Sequence, residues 1–128
     1  MAYTLDRKFT GETLADIETR TRAALAANGF GVLTEIDVQA TMKKKIDVNM
    51  PGYLILGACN PAMAYQAMAM EPKVGAMLPC NVILREIEGG IEVSAIDPVA
   101  SMTGIPNDDL KRVARHVRQM LAEVLGSI

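Results

Sequence analysis

The sequence predicts an α+β fold, in which an antiparallel sheet carries helices packed on one face. Two observations support this prediction. The predicted elements run strand, helix, strand, short helix, strand, helix, strand, strand, helix, and the last two strands are joined by a hairpin turn at Gly89-Gly90. The 128 residues contain no repeat, linker or low-complexity segment, so a single domain over residues 1–128 is expected.

Five segments have the alternating or continuously apolar patterns that are typical of strands. They are residues 3–9, 31–36, 53–59, 78–88 and 91–97. The third segment, YLILGAC, is continuously apolar, which predicts a strand buried on both faces.

Four segments have the apolar period of helices, and their ends carry recognisable capping residues. They are residues 10–28, 38–45, 61–71 and a last helix that opens at Pro106-Asn107. Asp37 and Asn60 are the expected N-caps of the second and third helices, and Pro61 follows at the first helical position, where its missing N–H does no harm. Asn28-Gly29 ends the first helix, because glycine suits the left-handed position after a helix C-terminus.

Composition argues against nucleic-acid and membrane functions. The formal net charge is −2, whereas a general nucleic-acid binder carries a basic excess. The one basic run, Lys43-Lys44-Lys45, is interpreted as a solvated helix end. No apolar run approaches the length of a membrane span and the N-terminus has no signal core, so a soluble, cytoplasmic protein is expected.

The only two cysteines lie in similar settings, Cys59-Asn60-Pro61 and Pro79-Cys80-Asn81. In a reducing compartment they are free thiols, a redox pair or metal ligands. Cys59 ends a strand directly before a capped helix, whose free N–H groups favour a thiolate. Cys80 opens the next strand. If these two strands are antiparallel neighbours, both thiols lie at one edge of the sheet, which predicts a thiol or ligand site at Cys59, Asn60, Cys80 and Asn81.

Asp97 is the fifth candidate site residue. A Gly89-Gly90 turn pairs Val82 with Asp97, so Cys80 and Asp97 are expected as diagonal neighbours roughly 7–8 Å apart. A carboxylate at the end of an apolar face needs a partner or water, and it is expected, together with desolvation, to raise the pKa of Cys80. The structural alternative stays open: the cysteines fill space, Asn60-Pro61 caps a helix, and Asp97-Pro98 forms a turn.

No metal, cofactor or catalytic residue is assigned. A gap of 20 residues between the cysteines fits no zinc spacing. Four methionines could join the thiols as soft ligands of Cu(I): Met63, Met68, Met70 and Met77. Core filling is favoured instead, because two of them share a helix face with Ala67. His116 is assigned to a solvated helix face rather than to a Cys–His dyad.

Four blocks of the sequence resemble the domain of unknown function 302 family, a family of small bacterial and archaeal proteins. In order, they are GFGVLTEIDVQATMKKK, LGACNPAMAYQAM, EPKVGAMLPCNVILRE and VSAIDPVASM. The resemblance implies a curved antiparallel sheet with a long C-terminal helix, similar in outline to TATA-box-binding-protein-like folds, and a homodimer. It implies that both cysteine blocks and Asp97-Pro98 belong to the family pattern, and it supplies no reaction.

Two hypotheses for the function follow, and whether the protein is an enzyme stays open. In the first, the protein is a cytosolic binding or thiol/redox module with a pocket near Cys59, Cys80 and Asp97 for a thiol-reactive partner, a soft metal or a small ligand. In the second, it is a non-catalytic homodimeric interaction domain. An accessible, acidic Cys59 thiol favours the first hypothesis, and two buried, unreactive thiols favour the second.

Overall fold

Five strands form one antiparallel sheet in the computed structural model, which describes residues 2–128. They are β1 (Thr4–Thr10), β2 (Gly31–Asp37), β3 (Tyr53–Cys59), β4 (Cys80–Ile87) and β5 (Gly90–Ile96). Their order across the sheet is β1-β5-β4-β3-β2, and every neighbouring pair is antiparallel. Over the described residues the sheet does not curl round to close on itself, so β1 and β2 are its two edges. The predicted α+β class is confirmed.

Five α-helices and one 3₁₀ helix connect and cover the strands within residues 2–128. The α-helices are α1 (Leu14–Ala27), α2 (Val38–Ile46), α3 (Pro61–Met70), α4 (Pro98–Ser101) and the long C-terminal α5 (Asp108–Ser127); the 3₁₀ helix is Pro72–Met77. None of these helices is both long enough and apolar enough to cross a membrane.

The main core lies between one face of the sheet and helices α1 and α5. Alternate residues of the three central strands face it and are buried: Leu54, Leu56, Ala58, Val82, Leu84, Ile91, Val93 and Ala95. A smaller cluster lies where α3, the 3₁₀ helix and α4 meet α5, and it contains Ala67, Val74, Met102, Leu110 and Ala114. The expectation that β3 is buried on both faces is wrong, because Tyr53 and Ile55 on the other face are only half-buried.

The first helix begins later than predicted. Thr10 completes β1, where it pairs with Gly90. Thr13 is the N-cap of α1, and its Oγ1 accepts a hydrogen bond from the Asp16 N–H at 3.2 Å. The helix therefore starts at Leu14, because the cap, rather than the end of the preceding strand, fixes its first turn.

The first helix ends as predicted, at Asn28-Gly29. Gly29 has a φ of +82°, and the Phe30 N–H donates to the Leu25 carbonyl oxygen at 2.9 Å. The Gly29 N–H donates to the Ala26 carbonyl oxygen at 3.3 Å. These two bonds form the Schellman motif, which uses the left-handed conformation that glycine adopts without strain.

The β4–β5 hairpin turns one residue earlier than predicted, at Glu88-Gly89. Gly89 has a φ of +82°, the left-handed conformation that a tight turn needs at its second central position. Val82 therefore pairs with Ala95 and not with Asp97. The observed pairing differs from the predicted one by two residues along β5. Because side chains alternate between the two faces of a sheet, a shift of two residues leaves each side chain on its predicted face.

Candidate functional site

Cys59 is the last residue of β3 and is partly exposed. Asn60 follows it as the N-cap of α3, and the Asn60 Oδ1 accepts a hydrogen bond from the Met63 N–H at 3.1 Å. Pro61 occupies the first helical position, as predicted. Cys59 therefore lies beside the N-terminal end of a ten-residue helix, where the backbone N–H dipoles favour negative charge.

Asn60 also fixes the position of this helix end in the fold. Its Nδ2 donates a hydrogen bond to the carbonyl oxygen of Gly29 at 3.1 Å. Gly29 belongs to the turn that ends α1 and precedes β2. The side chain thus joins the N-terminus of α3 to the turn that precedes β2, whose first residue, Gly31, pairs with Cys59, in addition to capping the helix.

Cys80 is the first residue of β4 and is buried, with 8% of its surface exposed. It pairs across the ladder with Ala58, not with Cys59. The interpretation of the cysteines as a contacting pair is therefore wrong: both are free thiols, and they do not face each other directly. Ala58 lies opposite Cys80, and Cys59 follows Ala58 in the chain, so the two cysteines are diagonal to each other across the β3–β4 ladder.

Burial changes the acidity of the Cys80 thiol. Loss of hydration raises its pKa from the ordinary value of 9.0 to about 11, and the nearby Cys59 adds to the rise. The expected contribution of desolvation is confirmed. The second contribution comes from the other thiol rather than from the carboxylate of Asp97.

A cavity of about 40 Å³ lies between the ends of β3 and β4 and the helices α3, α4 and α5. Its polar and sulfur-bearing lining residues are Cys59, Asn60, Met63, Cys80 and Met102, and the remaining walls are apolar. The volume is enough for a water molecule, which needs about 10–15 Å³ by the same measure. It is far below the roughly 300–1,000 Å³ of typical small-molecule sites. Cys59 and Cys80 thus both line one cavity, whose size fits an ion or a species of very few atoms.

Two of the predicted site residues, Asn81 and Asp97, lie outside the cavity. Asn81 is exposed on the opposite face of the sheet, because successive side chains of a strand alternate between its faces. Asp97 is buried, and it is the N-cap of α4: its Oδ1 accepts hydrogen bonds from the N–H groups of Val99 at 2.9 Å and Ala100 at 3.4 Å. Only the following residue, Pro98, reaches the cavity wall.

The other oxygen of Asp97 is paired with a residue that sequence reasoning missed. The Arg118 Nε donates to Asp97 Oδ2 at 3.0 Å, which supplies the partner that a buried carboxylate needs. Arg118 lies beside Val117 and three residues before Leu121, two buried residues of α5. That spacing was the available signal, because a long side chain at the edge of an apolar stripe can reach inward.

The remaining candidate ligands, three methionines and His116, do not line the cavity. Met68, Met70 and Met77 are exposed and do not line the cavity. His116 is exposed on α5, as predicted. Met102, which sequence reasoning did not single out, is buried at the C-terminal end of α4 and lines the cavity. Within residues 2–128, no three His, Cys, Asp or Glu side chains are grouped as metal ligands.

Comparison with known proteins gives a family and a fold. Residues 7–128 match the family model described as domain of unknown function DUF302. No curated protein matches the chain. The crystal structure of an uncharacterized conserved protein DUF302 from Bacillus stearothermophilus is similar, with a TM-score of 0.92 and 22% sequence identity over 99% of this chain and 98% of that chain. This likeness supports the fold described above.

Proposed function

This chain belongs to the DUF302 family, whose function is unknown, and we propose that it acts as a thiol module in which Cys59 is the reactive group. The observation behind the proposal is that Cys59, at the end of β3, and Cys80, at the start of β4, line the same cavity. The two residues come from neighbouring strands and differ in burial, so they are suited to different roles. A reducing, cytoplasmic environment would keep both thiols free.

The difference in burial assigns the roles. With a pKa of about 11, the Cys80 thiol is ionised in only about one molecule in ten thousand at pH 7. Because the thiolate is the nucleophile, Cys80 is a poor attacking group at neutral pH. Cys59 is partly exposed and lies beside the positive end of α3. A thiol-reactive partner therefore meets Cys59 first, and Cys80 lies behind it as the buried second thiol.

The size of the cavity restricts what can contact both thiols together. A volume of about 40 Å³ excludes a metabolite-sized ligand from the space between the thiols. A larger partner reaches Cys59 from its exposed side. The proposed module thus binds or reacts through one accessible thiol, and the shared cavity admits only an ion or a very small species.

Alkylation of the native, reduced protein tests this proposal. Iodoacetamide is added over a range of pH, and mass spectrometry follows the two cysteine peptides separately. We expect Cys59 to be labelled first at every pH below 9, with Cys80 labelled at a comparable rate only after unfolding. A Cys59→Ser variant controls for direct labelling of Cys80. Faster labelling of Cys80, or no labelling of either thiol before unfolding, would reject the proposal in favour of a purely structural role.

A second function, homodimeric interaction, is favoured by a different observation. The edge strand β2 is exposed along nearly its whole length, and its Leu33 and Ile36 side chains are 66% and 47% exposed. The adjoining helix α2 buries none of its residues, and Ile46 at its end is 63% exposed. An edge strand has one row of backbone N–H and C=O groups without a strand partner, and a strand of another chain can pair with it. We propose that a second copy of this chain pairs with β2.

A further inference from the structure

We propose that Cys59, Cys80 and Met63 form a binding site for a single Cu(I) ion. This inference rests on the proposed thiol function, because it uses the same two cysteines, and it names the class of ligand that the shared cavity accepts. Nothing in the proposed function itself requires a metal.

The donor atoms around the cavity point to a soft metal. Its lining contains two thiols and two thioethers, and Asn60 is the remaining polar side chain. Thiolate and thioether sulfurs select Cu(I), whereas a structural Zn²⁺ site takes four nitrogen or sulfur ligands of which Cys and His are the usual sources. Within the described part of the chain, the two cysteines have no third Cys, His, Asp or Glu close enough to complete such a set.

The structure narrows the objection that helical spacing raised against copper to Met63, which packs against the main core and also lines the cavity. That objection treated Met63, Ala67 and Met70 as one core-filling face. Ala67 is buried, Met70 is exposed, and Met63 alone of the α3 methionines lines the cavity. Met68, Met70 and Met77 are exposed and lie outside the cavity, and the proposed site does not use them.

Met63 is preferred over Met102 as the thioether ligand because its backbone is fixed beside Cys59. The Met63 N–H donates to the Asn60 side chain, and Asn60 is the residue next to Cys59. The hydrogen bond that caps α3 therefore fixes the backbone of Met63 close to Cys59. Met102 lines the cavity from α4, which has only four residues.

The size of the cavity and the balance of charge fit one monovalent ion. A volume of about 40 Å³ holds an ion and excludes bulkier ligands. On binding, each protonated thiol releases its proton to solvent, and two thiolates and one Cu(I) leave a net charge of −1. No oxidation or reduction takes place.

An anaerobic competition titration tests the site. The reduced full-length protein competes for Cu(I) with bathocuproine disulfonate, whose Cu(I) complex absorbs visible light. We expect the protein to withdraw one Cu(I) per chain. The Cys59→Ser and Cys80→Ser variants should lose at least about 100-fold in affinity, and Met63→Leu about tenfold. Met68→Leu, a matched change at an exposed methionine outside the cavity, should bind as the parent does.

Met63→Leu is the decisive variant, because a volume-conserving change at a half-buried position leaves the fold intact. Circular dichroism confirms the fold of each variant before titration. An unchanged affinity in Met63→Leu, or a parent protein that binds Cu(I) no better than Cys59→Ser does, would overturn the site. If Cys59 is alkylated in the metal-free protein but no copper is withdrawn, the metal site alone fails. If copper binds but Cys59 is not alkylated without it, the reactive-thiol proposal alone fails.

Discussion

Gly57 shows how a single residue sets the geometry beside the site. A Cβ on Gly57 would overlap the Thr34 Oγ1 and come within 2.8 Å of the Pro79 Cγ. Thr34 is the partner of Gly57 in β2, directly after an irregularity in the β2–β3 register. The backbone therefore needs room at this position, as an isolated glycine inside an apolar strand indicates. The missing side chain lets β2 and the segment before Cys80 approach β3 together.

We expect Gly57→Val to lower the free energy of unfolding by about 1–3 kcal/mol, because the added atoms overfill a closed space. Urea unfolding followed by circular dichroism measures the change. Gly31→Val is the matched control in the neighbouring strand, since a Cβ there meets no atom nearer than the Cys59 carbonyl oxygen at 3.9 Å. Equal unfolding midpoints for the parent and Gly57→Val would contradict the prediction.

Cys80 should make stability depend on pH in the alkaline range. Its pKa is raised from 9.0 to about 11 in the folded protein, so the folded state holds the thiol proton more tightly than the unfolded state does. This contribution to stability is fully present below pH 9 and is lost as the pH rises from 9 towards 11. Its size is on the order of 3 kcal/mol.

The comparison that isolates this contribution uses Cys80→Ala. The two proteins differ only at this side chain, so the difference between the two pH profiles belongs to Cys80. We expect the free energy of unfolding of the parent protein to fall more steeply between pH 9 and 11 than that of Cys80→Ala. Parallel profiles would show that the thiol has the same acidity in the folded and unfolded chains.

At the scale of single residues, the sequence could predict which face a side chain occupies but not every partner that it meets. The faces of Cys80 and Val82 followed from strand alternation and survived an error in the turn. The pairing of Asp97 with Arg118 could not be predicted from the sequence, because the two residues are 21 positions apart and their contact depends on how α5 lies against the sheet. Local patterns carry no information on that packing.

At the scale of elements, the N-caps of α2, α3 and α5 were predictable, whereas Thr13 and Asp97, the N-caps of α1 and α4, were missed. Asp37 caps α2 through the Ala40 N–H, Asn60 caps α3, and Asn107 caps α5 through the Leu110 N–H. Each cap is a contact between residues three apart, so the sequence shows it directly. The four-residue α4 and the six-residue 3₁₀ helix were missed, because neither is long enough to display a period. Met102, and with it one wall of the cavity, was missed for the same reason.

The cap of α3 gives a prediction that separates its two hydrogen bonds. Asn60→Ala removes both the bond from the Met63 N–H and the bond to the Gly29 carbonyl oxygen. It should cost about 1–2 kcal/mol of unfolding free energy. Asn60→Ser keeps an N-cap acceptor and loses only the donor to Gly29, so it should cost less. Thermal and urea unfolding of the two variants measure the difference. A serine variant as unstable as the alanine variant would mean that the link to Gly29, rather than the cap, dominates.

At the scale of the whole molecule, the antiparallel pairing of β3 with β4 was an assumption that the structure confirms, and the two thiols line one cavity because of it. The position of β1 beside β5 could not be read from the sequence. It joins the first strand to the last, and no turn or local spacing specifies such a pairing. The arrangement leaves β2 as an edge whose neighbours in the chain, α2 included, do not cover it.

This open edge leads to the last prediction, which concerns the homodimer. If a second copy pairs with β2, light scattering at micromolar concentration should give twice the chain mass of 13.8 kDa. Leu33→Lys should then give monomers, because a charge on an edge strand blocks edge-to-edge pairing. Tyr65→Lys, at a side chain 73% exposed on α3, is the control and should leave the dimer intact. A mass near 13.8 kDa for the parent protein, or equal loss of the dimer in both variants, would reject β2 as the interface.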